Sequence, residues 1–182
     1  DLIGGRRHLA DPLYDEVEHK VAALMAREGP VASDLRYLLA VLRVIPELEQ
    51  SADLANGIAH KGSQGLAAVI SPRTRAIITR VGDLVSAMWS ELSSHWDDHR
   101  GDAEERLEAA REELDDLHTS LTAEVAAIGL PASITMDMAL IGRFYERLGD
   151  HAINIAERLD RLSRWPSAGP SGPTSETGRD TE

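Results

Sequence analysis

The stretch FYERLGDHAINIAERL, Phe144 to Leu159, decides how the chain is read, because ELEQSADLANGIAH, Glu47 to His60, echoes it. At an offset of 97 residues Glu49 lies over Glu146, Asp53 over Asp150, Ala55 over Ala152, Ile58 over Ile155 and Ala59 over Ala156. Upstream of each, REGPVASDLR and IGLPASITMD follow an amphipathic helical pattern and carry a Gly/Pro break. The order helix, break, long helix with Glu-x-x-x-Asp therefore occurs twice, the mark of an internal duplication. With three helices per unit, the first unit lacks its first helix, and the abrupt opening DLIGGRRHLADP fits such a shortfall.

Helical periodicity runs through the rest, with no alternating strand. A first helix is expected over 12–27, with Asp11 as N-cap and Pro12 at the first helical position. A second, over 33–60, carries Leu38, Leu42, Ile45, Leu48, Ala52, Ala55 and Ala59 as its apolar stripe, with a kink or local loosening at Pro46. KGSQG (61–65) is a break. A third helix, capped by Ser71 and starting at Pro72, shows Ile77, Val81, Leu84, Val85, Met88 and Leu92 at helical spacing. After Gly101-Asp102 an acidic fourth helix runs to about Ile128, and a fifth to about Arg164. The Pro/Gly/Ser/Thr-rich end, 165–182, reads as a disordered tail. Domain limits follow: a first repeat over 1–62, extending at most through the helix that ends near 98, and a second over 63–164.

Composition narrows the chemistry. Aromatics are only 4%, so the core rests on Leu, Ile, Val and Ala, which suits packed helices. A net charge of −12 argues against a nucleic-acid backbone binder and for cations or basic protein surfaces. The absence of cysteine leaves oxygen and imidazole as metal ligands and removes disulfides and thiolate nucleophiles. No apolar run approaches the ~20 residues of a membrane span, and a cytoplasmic protein is the default reading.

The acids carry the functional question. On the fifth helix the stripe Ile141, Phe144, Tyr145, Leu148, Ala152, Ile155 and Leu159 turns Glu146 and Asp150 toward the surface. Like charges at i,i+4 disfavour a helix by roughly 0.2–0.5 kcal/mol, so a solvated face is the plain reading of one such pair. Further pairs recur at Glu49/Asp53, Glu112/Asp116 and Asp11/Asp15. Two neighbouring helices that each present such a pair can surround a hard or borderline cation with carboxylates.

The elements PVASDLRYLLAVLRVIPELEQSADLANGIA and FYERLGDHAINIAERL resemble the two signature segments of the PhoU family of phosphate-signalling regulators. The resemblance spans Asp11 to Leu162. It implies an elongated all-α protein of two tandem three-helix bundles, the first lacking its N-terminal helix. It also implies multinuclear metal clusters, iron or zinc, on Glu/Asp-x-x-x-Asp motifs. Carried over by position, the metal ligands are Glu49, Asp53, Glu112, Asp116, Glu146 and Asp150, with Asp11 and Asp15 as first-repeat counterparts of Glu112 and Asp116. Asp34 and Arg36 match the family's Asp-Leu-Arg. In EQSAD, Gln50 stands where the family has Arg and Ala52 where it has Gly.

The implied function is regulatory, not enzymatic. It is a homodimeric adaptor between the ATPase subunit of the phosphate ABC transporter and a sensor histidine kinase, repressing the phosphate-starvation response. Two other classes compete. A ferritin-type di-metal oxidase needs Glu-x-x-His twice, and Glu16-x-x-His19 supplies it once. A metal-free helical scaffold would leave every acid solvated. His95 and His99 are expected to be exposed, and His151 and Asn154 belong to the motif without separate chemistry.

Overall fold

The computed structural model describes residues 4–98 and 103–163, with side chains for 12–96 and 103–162. Five helices follow one another: α1 (Gly4–Glu28), α2 (Ala32–Ser63), α3 (Pro72–Asp98), α4 (Ala103–Ala127) and α5 (Ala132–Ser163). A 3₁₀ turn over Leu66–Ala68 links α2 to α3. Gly29 and Gly129, with φ of 55° and 63°, follow the ends of α1 and α4, the left-handed conformation that stops a helix without a Cβ clash. Ser71 caps α3 as expected, its Oγ accepting the Thr74 N–H at 3.0 Å.

Helices α3, α4 and α5 form a three-helix layer, α2 packs along α5, and α1 packs on α2. The main core joins Val44 and Leu54 of α2 to Val81, Leu84, Val85, Met88 and Leu92 of α3, Leu107 and Leu114 of α4, and Leu148, Ala152 and Ile155 of α5. Burying each large side chain contributes roughly 1.5–3 kcal/mol. A smaller cluster, Leu66, Leu121, Val125, Met138 and Ile141, closes the other end of the α4–α5 pair. The expected stripes of α3 and α5 face these cores.

Three expectations are corrected. Helix α1 begins before Asp11 and runs through Pro12, an exposed position where water can satisfy the carbonyl that proline leaves unbonded. Helix α2 also carries Pro46 within its run Ala32–Ser63. Its apolar residues serve two neighbours rather than one stripe. Ala40, Val44, Ser51 and Leu54 are buried, while Leu42 and Ile45 line a groove with Tyr14 of α1 and Ala55 and Ala59 are exposed. His95 is buried, not exposed, because Asp160 of α5 reaches it at 2.8 Å. His99 and the tail lie outside the described residues.

Close approach decides where α5 sits. A Cβ on Gly149 would stand 2.6 Å from Leu114 Cδ2 and 3.6 Å from Met88 Cε, so any side chain here must push Leu114 aside where α4 and α5 meet. Gly149→Val is expected to cost about 1–3 kcal/mol by overpacking, read as a lower urea midpoint at unchanged slope. A change within 0.5 kcal/mol would show that the helices can part there freely.

Candidate functional site

Helices α2 and α5 run antiparallel. Glu47 meets His151, Gln50 meets Arg147, and Lys61 pairs with Asp137 at 2.5 Å. Gln50 and Arg147 are the same position of the two repeats, and their side chains approach to 3.4 Å. The duplicated signature helices thus pack against each other about a pseudo-twofold axis through this pair. With Gln at 50 the contact is a donor meeting an acceptor. The family's Arg would set two like charges together.

Beside this axis lies a part-buried polar cluster. Glu47 of α2 accepts the Nδ1–H of His151, and its other oxygen accepts from Arg158 Nη1 at 3.0 Å. Only 9% of the His151 side chain is exposed, and its Nε2 has no partner. Burial alone would raise the Glu47 carboxyl. Hydrogen bonds and charge from His151 and Arg158 outweigh it and hold the group below its ordinary value. His151, left without chemistry by the sequence, thus ties the two signature helices together. Nothing in its own neighbourhood of sequence showed this, because Glu47 lies 104 residues away.

The second-signature acids sit part-exposed at the edge of the α4–α5 seam. Glu146 Oε2 lies 2.8 Å from Arg143 Nη1 and 3.3 Å from His118 Nδ1, with 27% of its side chain exposed. Asp150 faces Arg111 at 3.5 Å. The α4 residues brought to Glu146 and Asp150 are therefore His118 and Arg111, seven apart and so on one face. That basic pair was a readable signal. Glu112 and Asp116 are exposed on the outer face of α4. Each stands two residues from buried Leu114, which turns it about 160° from the packed side. The expected four-carboxylate cage of Glu112, Asp116, Glu146 and Asp150 is not formed.

In the first repeat, Asp15 and Glu49 do come together. With Glu18 they line a groove between α1 and α2 whose floor is Tyr14, Leu42, Ile45 and Pro46. Asp53 is exposed on α2 and does not line it. The side chain of Asp11 lies outside the described residues. Glu16 and His19 are both exposed, Glu16 holding Lys20 and His19 bonded to the Asp15 carbonyl at 2.7 Å, so the single Glu-x-x-His faces water, not a bundle core. Among the described residues no three or more His, Asp or Glu side chains converge in a way that would hold a metal ion.

This geometry defines a class: an all-helical protein built of duplicated units joined through their signature helices. The family model for the PhoU domain matches residues 6–61 and 78–159, and the chain belongs to the PhoU family. A phosphate-specific transport system accessory protein PhoU homolog from Caulobacter vibrioides is 30% identical, over 86% of this chain and 69% of that protein. A protein of the same description from Deinococcus radiodurans is 27% identical, over 87% and 78%. The crystal structure of PhoU from Pseudomonas aeruginosa superposes with a TM-score of 0.80 at 23% identity, covering 90% of this chain and 80% of that one, a likeness of fold.

Proposed function

We propose that the chain is a regulatory accessory protein of a phosphate-specific transport system. It acts as a cytoplasmic adaptor between the transporter's ATPase subunit and a sensor histidine kinase, and it represses the phosphate-starvation response when phosphate is plentiful. The observation that carries this reading is the family match across both repeats, supported by relatives described as accessory proteins of that system. Of the histidine–carboxylate pairs, His95–Asp160 is fully buried in helix packing, His151–Glu47 is largely covered between α2 and α5, and His118–Glu146 lies part-exposed beside Arg143. No described helix is long and apolar enough to cross a membrane. Deleting the gene should switch on phosphate-starvation genes in high phosphate; unchanged repression would refute the role.

A cation, as the resemblance implies, would sit at the α4–α5 edge. Glu146 and Asp150 would hold it, with His118 as a nitrogen donor, and its charge would fix α4 against α5. The side chains as arranged do not form that site, since Arg111 and Arg143 already neutralise the carboxylates. Both arginines are exposed and free to swing away. Arg111→Ala with Arg143→Ala is therefore expected to tighten Mn²⁺ or Zn²⁺ binding at least about tenfold, about 1.4 kcal/mol, in calorimetric titration. Glu146→Ala with Asp150→Ala should abolish it. Equal metal binding by both variants would place any cation elsewhere.

A further inference from the structure

Arginines recur along one seam of this molecule. On α2, Arg36, Arg43 and Gln50 recur every seven residues, and on α5 so do Arg147, Asn154 and Arg161. Seven residues return a helix to within about 20° of its starting direction, so each set is one stripe. The Gln50–Arg147 contact lays the stripes side by side. Because the helices are antiparallel, one heptad away Arg43 comes level with Asn154, and a second brings Arg36 level with Arg161. Arg158 joins them, donating to the Asn154 carbonyl at 3.2 Å as well as to Glu47. Arg43, Arg147 and Arg161 are exposed. The carboxylates along the strip, Glu47 and Glu157, are held by Arg158 and Arg161. The outer face of α4, by contrast, exposes Glu105, Glu108, Glu112, Asp115 and Asp116.

We propose that the arginine seam between α2 and α5 is the docking surface for an acidic helical segment of a partner protein. The inference rests on the adaptor reading and names the face it uses. The chain carries a net charge of −12, yet along this seam five arginines stand against the two paired carboxylates Glu47 and Glu157, a local surplus of positive charge that would steer an acidic partner. The strip is narrow, and from Arg36 to Gln50 it extends about 21 Å at ~1.5 Å per residue. Those are the dimensions of one helix laid along the groove of two. Guanidinium forks match carboxylates bidentately. An anionic membrane is the poorer fit, because the flat lipid surface would also meet the acids that dominate the rest of the molecule.

The test is calorimetric binding of the full chain to the purified transporter ATPase subunit and to the cytoplasmic part of the sensor kinase. Co-sedimentation with phosphatidylglycerol–phosphatidylcholine vesicles runs alongside. Arg43→Glu with Arg147→Glu should weaken binding to one of the two proteins at least about tenfold. Glu105→Lys with Glu108→Lys should leave it within about twofold, and circular dichroism melts should show both variants folded. If the wild-type chain binds and the arginine variant binds equally well, the seam is not the docking face and the adaptor reading stands. If the wild-type chain binds neither protein, both readings fall. If the arginines are needed for vesicle binding alone, the ligand is a membrane and the proposal is overturned.

Discussion

Replacing Asp160 with Ala is expected to lower folding stability by about 2–5 kcal/mol. Asp160 is fully buried near the end of α5. One carboxylate oxygen lies 2.8 Å from His95 Nε2 on α3, and the other accepts the Glu104 N–H at 3.1 Å in the first turn of α4. The residue therefore joins three helices at one point and caps one of them from a distance. Losing a cap alone costs about 1 kcal/mol. The larger part comes from His95, whose Nδ1 already lacks a partner and whose ring would stay buried after losing its carboxylate. Urea unfolding followed by circular dichroism measures the change. Asp160→Asn, which keeps an oxygen for Glu104, should lose less than the alanine variant. A loss below about 1 kcal/mol for Asp160→Ala would mean the buried pair does not form.

The second large effect is at Glu47, where alanine is expected to cost about 2–4 kcal/mol. The change leaves His151 and Arg158, side by side on α5, turned toward α2 with no anion between them. The same carboxylate sets a pH dependence. Its folded value lies below the ordinary one, so across that range the unfolded chain binds the extra proton and stability rises with pH. The contribution is complete above the ordinary value of 4.5 and is lost as pH falls through the depressed folded one. Wild-type stability should drop on acidification below pH 4.5, and Glu47→Gln should flatten that part of the curve. Parallel wild-type and Glu47→Gln curves would remove Glu47 as the titrating group.

Elements with one apolar face were legible in the sequence. The stripes of α3 and α5, the Ser71 cap and the duplication that matches Glu49 to Glu146 all follow from local spacing. Helix α2 was misread because it is sandwiched: with α1 on one side and α5 on the other, its apolar residues satisfy two directions and blur a single stripe. The site was less legible than the fold for a related reason. Spacing places Glu146 and Asp150 on one helix edge but is silent about which face of α4 meets them. Leu107, Leu114 and Leu121 settle that, and they turn His118 and the exposed Arg111 toward α5 while Glu112 and Asp116 face out. His95 looked like a polar residue at a helix end, since its partner stands 65 residues further on.

The regulatory role is tested most directly by a phosphate-starvation promoter reporter in a strain deleted for this gene, grown in high phosphate and complemented with the chain. The expected result is a reporter switched on by the deletion and silenced again by the wild-type chain. A reporter that stays silent in the deletion strain, or stays on despite folded, expressed protein, would contradict it.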